Sequence, residues 1–158
     1  MKKLIIALTI ALLALPAMSQ KFEFDLRAGI NMQKSSSPDN TMSFLPHFGG
    51  MTGLRFSKIG LYTEILFSIH DDEDWAEKGT YLVPSLLARY YGFRYLYVEA
   101  GTSYYLLAEK QVDGAPVPFP DKKIGLFGGA GFYAGRFDLG VRITLPISSI
   151  QGTITYIF

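Results

Sequence analysis

Two histidines and one serine are the residues of this chain whose types and spacing could support catalysis. The chain contains only His47 and His70 as histidines and has no cysteine, which excludes thiolate chemistry and disulfides. Ser68 and His70 lie two positions apart, and a serine beside a histidine base is the pattern of a nucleophilic enzyme. Side chains two apart on a strand have their roots about 6–7 Å apart, which is awkward for a direct hydrogen bond. We interpret the pair as polar rim residues and predict no catalytic residue and no enzyme activity.

A run of four acidic residues at positions 71–74 is the densest cluster of charge in the chain. Four carboxylates could gather Ca²⁺ or Mg²⁺, because both ions prefer oxygen ligands. The run lacks the glycine and the ligand spacing of a dedicated calcium loop. Simple solvation is therefore the favoured interpretation, and we predict no metal site and no cofactor.

The composition indicates a single all-β domain. The chain has 158 residues, with 15 basic and 14 acidic side chains, so nothing indicates an electrostatic attraction to nucleic acid. It also contains 12 phenylalanines, 10 tyrosines and 16 glycines without a helical period. Frequent aromatic residues and glycines of this kind are typical of a chain with many strands.

Residues 1–19 have the pattern of a secretory signal peptide. Two lysines follow the first methionine, residues 4–15 form an apolar core, and Pro16 precedes three small or flexible residues at 17–19. The core lies within the roughly 7–15 residues usual for a signal and is short of the ~20 that a spanning helix needs. We predict that the mature chain begins at Gln20; the alternative is an uncleaved membrane anchor.

Residues 20–158 contain eight stretches in which apolar and polar side chains alternate. A period of two residues indicates a strand with two different faces. The clearest stretch is 137–145, where an aliphatic or aromatic residue stands at every second position. The eight stretches lie near residues 22–32, 48–56, 61–69, 81–89, 96–106, 123–133, 136–145 and 150–158.

The charged residues of these stretches lie on the face opposite the aliphatic one. An arginine on the lipid face near the middle of a bilayer costs ~2–4 kcal/mol, so we predict that the aliphatic face meets lipid and the charged face lines the interior. A soluble barrel would have the reverse arrangement. We predict an all-β, eight-stranded, antiparallel, up-and-down transmembrane β-barrel, with the tyrosine pairs at 90–91 and 104–105 in its aromatic girdles. Its lumen is predicted to be closed by an ion-pair network of Glu23, Asp25, Arg27, Glu64, Arg89, Glu99, Arg136, Asp138 and Arg142; the alternative is a narrow ion path.

The links between the stretches alternate in length. Alternating short and long links are typical of a barrel with periplasmic turns and external loops, and an even strand number places both termini in the periplasm. The short links are predicted at residues 57–60, 92–93 and 135, and the long ones at 33–46, 70–79 and 108–122.

The chain ends on an alternating strand in which Ile154, Tyr156 and Phe158 share a face. This ending resembles the C-terminal recognition strand of bacterial outer-membrane proteins. The resemblance implies a Gram-negative outer membrane and recognition by the barrel assembly machinery. Outer-membrane lipids and lipopolysaccharide are then the expected partners, and a cation held by residues 71–74 could bridge to lipopolysaccharide phosphates.

Residues 79–90 read Gly-Thr-Tyr-Leu-Val-Pro-Ser-Leu-Leu-Ala-Arg-Tyr. They resemble the motif of the PorT-like outer-membrane β-barrel family, in which a Tyr-Leu-x-x-Pro strand follows an external loop. Residues 97–101, the glycine-rich residues 125–131 and the terminal Tyr-x-Phe are also similar to that family. Ser85 departs from the aliphatic residue that the family commonly carries there. Pro84 cannot donate to a strand ladder, so we expect a bulge or a missing hydrogen bond at that position.

The PorT-like resemblance implies a small barrel scaffold of the OmpA/OmpX type and not a particular chemistry. The founding member of the family is associated with protein secretion across the outer membrane. We predict a structural or interaction role for this barrel, with an envelope protein as a further, unidentified partner. The alternatives are an accessory component of a secretion machine, a narrow pore, and a lipid-modifying enzyme that uses Ser68 and His70.

Overall fold

The structure is a computed structural model that describes seven segments of the chain. The predicted signal peptide at residues 1–19 lies outside them, and so do residues 73–76, which include the second half of the acidic run. The backbone alone is described at residues 20, 34, 70–72, 77–79, 107–109, 111–112, 115–116 and 123. The described segments are residues 20–34, 42–72, 77–109, 111–112, 115–116, 123–145 and 149–158.

Eight antiparallel strands form a closed barrel. Each barrel strand pairs with the barrel strands that precede and follow it in the chain, and the last pairs with the first. The predicted all-β, eight-stranded fold is confirmed. Closure removes every free strand edge, so the backbone groups of the wall bond to each other. Among the residues that the structure describes, no helix is long and apolar enough to cross a membrane. The barrel strands are β1 (Gln20–Lys34), β2 (Met42–Phe56), β3 (Ile59–Asp72), β4 (Glu77–Tyr90), β5 (Leu96–Glu109), β8 (Lys123–Ala134), β9 (Phe137–Leu145) and β10 (Ser149–Ile157).

One end of the barrel, which we call the terminal end, carries both described chain ends and the tight turns. The turns after β2 and β8 use left-handed backbone at Ser57, with φ of 54°, and at Gly135, with φ of 63°. The opposite end, which we call the loop end, carries the links from β1 to β2, from β3 to β4, from β5 to β8 and from β9 to β10. A separate two-stranded sheet lies within one of these links and pairs β6 (Gln111–Val112) with β7 (Ala115–Pro116).

The strands extend further toward the loop end than the sequence predicts. β1 and β2 pair from Gln20 with Phe56 to Lys34 with Met42, so the predicted long link at residues 33–46 is wrong over residues 33–34 and 42–46. The links predicted at 70–79 and 108–122 are likewise shortened by strand residues. A transmembrane strand needs only about 9–11 residues, and pairing beyond that span does not need an apolar face. Hydrophobic alternation therefore cannot mark where these strands end.

Among the side chains that the structure describes, none on the outward face of a barrel strand is charged. In β9, Leu139 and Val141 are more than half exposed, whereas Asp138 and Arg142, which flank them, are each 1 % exposed. The same alternation appears in every barrel strand, on the faces predicted from the sequence. An exterior of this kind suits acyl chains and not water.

Three outward threonines interrupt the aliphatic exterior without exposing an unpaired hydroxyl. The Thr52 hydroxyl donates to the Glu23 carbonyl over 3.2 Å, and the Thr102 hydroxyl donates to the Gly125 carbonyl over 3.1 Å. Thr63 donates in the same way to the carbonyl of Thr52. Each hydroxyl is thus satisfied by the barrel wall, which lowers its cost in a lipid environment.

Of the four tyrosines predicted to lie in aromatic girdles, only two lie on the outer face of the barrel. Tyr90 is half exposed on the outer face, and Tyr104 is partly exposed. Tyr91 and Tyr105 are buried inside the barrel, with 7 % and 2 % exposure. Neighbouring residues of an extended chain point to opposite faces, so the prediction is wrong for Tyr91 and Tyr105.

Candidate functional site

Six charged side chains cross the barrel interior as a continuous chain of ion pairs, which we call the lumen ion chain. Arg27 of β1 contacts Glu64 of β3, and Glu64 accepts a second bond from Arg142 Nη1 at 2.6 Å. None of the six side chains is more than 1 % exposed. The signs alternate along the whole chain, which runs Arg27, Glu64, Arg142, Glu99, Arg89 and Asp138.

The second half of the lumen ion chain is built in the same way. Arg142 Nε donates to Glu99, and Arg89 Nε donates to the other Glu99 oxygen at 2.7 Å. Arg89 Nη1 then donates to Asp138 Oδ2 at 2.8 Å. Each internal member therefore bonds to two partners of opposite sign. Because desolvation of a lone buried pair can exceed its Coulomb gain, such shared bonding is what makes the arrangement tenable.

Uncharged side chains complete the bonding of the lumen ion chain. The Tyr97 hydroxyl donates to Asp138 Oδ1 at 2.5 Å, and Arg27 Nε donates to the Thr155 hydroxyl at 3.1 Å. The Arg89 guanidinium also lies 4.3 Å from the centre of the Tyr97 ring, within cation–π range. Tyr97 thus contacts both an arginine and a carboxylate of the chain.

A tyrosine cluster fills the lumen at the terminal end. The Tyr62 hydroxyl donates to Glu23 Oε2 at 2.6 Å and lies 2.8 Å from the Tyr91 hydroxyl. The Arg55 guanidinium stacks 3.8 Å from the centre of the Tyr91 ring and lies 3.7 Å from Glu23. Burial raises the pKa of Tyr91 in the turn after β4, which keeps this phenol neutral. Aromatic rings therefore occupy the lumen between the lumen ion chain and the terminal end.

Inward glycines provide the space that the Tyr97 ring occupies. Gly131 pairs with Tyr97 across the β5–β8 ladder and with Gly140 across the β8–β9 ladder. A Cβ atom at Gly131 would collide with the Tyr97 ring, and one at Gly140 would lie 2.6 Å from the Tyr97 hydroxyl. The ring can reach Asp138 only because these positions lack side chains.

Replacing Gly131 with alanine is expected to lower the free energy of unfolding by about 1–3 kcal/mol, the usual cost of overpacking a filled interior. The measurement is urea unfolding of the barrel in lipid vesicles, followed by the heat-dependent shift in gel mobility. Gly128→Ala is the matched control, since its Cβ would meet nothing within 4 Å. Equal stabilities of the two variants would contradict the packing of Tyr97 over Gly131.

The structure places eight of the nine predicted network residues on the inward face. Glu23 joins the tyrosine cluster, and Asp25 is buried but forms no ion pair within the described residues. Arg136 is exposed in the turn before β9 and donates to the Tyr156 hydroxyl at 3.2 Å. The network prediction is therefore wrong for Arg136, because a long side chain at a strand end can reach water instead of the lumen.

Sequence reasoning missed several residues that hold the charged groups in place. Tyr62, Tyr97 and Thr155 each bond to a carboxylate or an arginine of the interior. All three stand on the inward face of their strands, so the alternation pattern carried the signal that could have found them. Their bonding partners lie on strands far away in the sequence, which the pattern does not specify.

Ser68 is enclosed inside the barrel, so its interpretation as a rim residue is wrong, and it lies opposite His47. Ser68 pairs with His47 across the β2–β3 ladder, and Asn31 Nδ2 donates to its hydroxyl at 2.6 Å. Both ring nitrogens of the buried His47 lack a hydrogen-bond partner in the described structure. The side chains of His70, Asp71 and Asp72 lie outside the described residues, although their backbone belongs to β3.

The three residues of the predicted C-terminal signal share the outer face of β10. Ile154 and Phe158 are more than half exposed, and Tyr156 is partly exposed. The Phe158 ring lies 5.0 Å from that of Tyr156 and 5.6 Å from that of Phe24 on β1. The terminal aromatic residues therefore cover the β1–β10 seam that closes the barrel.

Eight closed strands, whose described side chains are apolar or uncharged on the outside and ionised on the inside, define a small transmembrane β-barrel. No protein-family model and no curated protein sequence matches this chain. Among solved structures, the crystal structure of Neisserial surface protein A is similar, with a TM-score of 0.52. The match covers 89 % of this chain and 99 % of that chain at 13 % sequence identity. A likeness at this identity shows the shared fold.

Proposed function

We propose that this protein is a closed barrel of a Gram-negative outer membrane with a structural or interaction role in the cell envelope. The lumen ion chain is the observation that carries the proposal. Six paired side chains and the tyrosine cluster occupy the interior, and a barrel of eight strands has an interior only wide enough for packed side chains. The protein then acts through its exterior and its loops, without catalysis or conduction.

Several features support the outer-membrane location. No outward strand side chain that the structure describes is charged, and the fold is shared with a surface protein of Neisseria. The signal-like residues 1–19 support export, and Ile154, Tyr156 and Phe158 support recognition by the barrel assembly machinery. In this proposal the terminal end faces the periplasm, and the loop end meets lipopolysaccharide.

A relation to the PorT-like family is a finer part of the proposal. It is supported by the motif at residues 79–90 and by the strand interruption at Pro84 that the motif contains. The resemblance supports a small barrel scaffold. A role as an accessory component of a secretion machine is supported by the resemblance alone, so it stays secondary to the structural role.

The closed lumen predicts that the purified protein produces no stable conductance steps in planar bilayers. The reason is the unbroken set of contacts from Arg27 to Asp138 across the interior. A variant with Glu64, Glu99, Arg89 and Arg142 all replaced by alanine should conduct, because it empties the lumen without changing the net charge. Folding of both proteins is checked by gel mobility before recording. Reproducible steps from the unmodified protein would overturn the proposal and favour a narrow pore.

A further inference from the structure

The barrel wall is interrupted in the middle of β4. β4 and β5 pair at Leu82 with Leu106 and again at Ser85 with Ser103, but no pairing joins them at Val83 and Pro84. On the other side of β4, Pro84 remains paired with Ile65 of β3. Proline has no N–H to donate, so the sequence expectation of a missing bond is confirmed on the β5 side.

A recess of about 460 Å³ lies on the barrel wall at this interruption. Its lining includes Pro84 and the outward side chains of Ile65, Leu86, Tyr104 and Ile124. The volume falls within the range of roughly 300–1,000 Å³ that is usual for small-molecule sites. The recess is continuous with the apolar exterior, so it is open to whatever surrounds the barrel.

The polar groups beneath the recess bond to other protein groups. The hydroxyls of Ser85 and Ser103 lie 2.9 Å apart and bond to each other. Glu64, which also lines the recess, accepts bonds from Arg27 and Arg142 of the lumen ion chain. The recess therefore offers apolar side chains to a ligand, while its polar floor is engaged inside the wall. A charged or strongly polar occupant would find few free partners there.

We propose that the recess at Pro84 is a binding site for one acyl chain of a surrounding lipid. The site rests on the proposed location of the barrel in a bilayer. A lipid held there would exchange more slowly than the other lipids that surround the barrel. An empty recess would leave its lining without van der Waals partners, and a hydrocarbon chain is the apolar filler that a bilayer supplies. The proline creates the space by removing the strand pairing that would bring β4 and β5 together.

Photolabelling with lipids tests the site. The full barrel is reconstituted in phosphatidylethanolamine vesicles that contain a trace of lipid with a diazirine in the acyl chain, and labelled peptides are mapped by mass spectrometry. Labelling of Pro84, Tyr104 and Ile124 is expected to exceed that of Leu26 by about tenfold, which corresponds to ~1.4 kcal/mol of preference. Leu26 is half exposed on the outer face of β1, on the opposite side of the barrel from β5 and outside the recess.

Three variants distinguish a site from general lipid contact. Pro84→Val restores an N–H and should remove the enrichment, and Ile65→Phe should remove it by filling the recess. Pro46→Val is the control, because Pro46 is also exposed on the outer wall but lies away from the recess. All variants are compared with the unmodified barrel after folding is confirmed by gel mobility.

The possible results separate the recess from the membrane location. Uniform labelling around the belt, or enrichment that survives both Pro84→Val and Ile65→Phe, would overturn the site and leave the proposed function standing. Absence of labelling at every outward position, Leu26 included, would overturn the membrane location and the site with it.

Discussion

Replacing Arg142 with methionine is expected to lower the free energy of unfolding by about 3–5 kcal/mol, the usual cost of removing one partner of a buried ion pair. Arg142 bonds to both Glu64 and Glu99 and is 1 % exposed. The lumen ion chain has three arginines and three carboxylates, so the variant leaves one uncompensated negative charge inside the barrel. Urea unfolding in lipid vesicles measures the effect.

Two controls separate the loss of charge balance from the loss of packing. Arg136→Met removes an exposed arginine of the same strand region and should leave the urea midpoint unchanged. Adding Glu99→Gln to Arg142→Met restores neutrality, so the double variant should be more stable than Arg142→Met alone. If Arg142→Met were as stable as the unmodified protein, the lumen ion chain would not be holding the barrel together.

Replacing Val141 with arginine is expected to cost ~2–4 kcal/mol, because it places a charge on the outer wall near the middle of the bilayer. Val141 is the central residue of β9 and is 54 % exposed. Its cross-strand neighbours, Ala130 and Gly152, are small, so crowding is not a competing cause. The change is measured as a shift of the unfolding midpoint in vesicles.

Leu145→Arg is the matched control for Val141→Arg. Leu145 is also exposed on the outer face but is the last residue of β9. Arginine near an interface costs only ~0–1 kcal/mol, since its charge reaches the headgroups. Equal costs at the two positions would mean that the outer face of this strand does not lie in hydrocarbon.

The assignment of faces could be predicted from the sequence because it depends on neighbours within one strand. Asp138 and Arg142 point inward and Leu139 and Val141 point outward, since successive side chains of a strand alternate. The number of strands and the break at Pro84 follow from similarly local features. Each of these features can be read within about ten residues of sequence, the usual span of a transmembrane strand.

The partners of the inward residues could not be predicted in the same way. Arg27 pairs with Glu64, and His47 lies opposite Ser68, through the register of strands and the stagger with which the barrel closes. That stagger belongs to the whole sheet. Arg136 illustrates the same limit. Its place in the inward–outward alternation would put it inside the barrel, but its position near a turn lets it reach water.

The sequence by itself determined that this chain forms eight alternating strands with apolar residues on one face and charged residues on the other. The two faces must differ in this way, because an ionised group that lies against acyl chains costs a large free energy. Only the tertiary structure decided that the lumen charges join into one chain of alternating sign, that Tyr97 lies over Gly131, and that residues of four strands line one recess beside Pro84. Those contacts join residues from separate strands, and their geometry exists only after the sheet has closed.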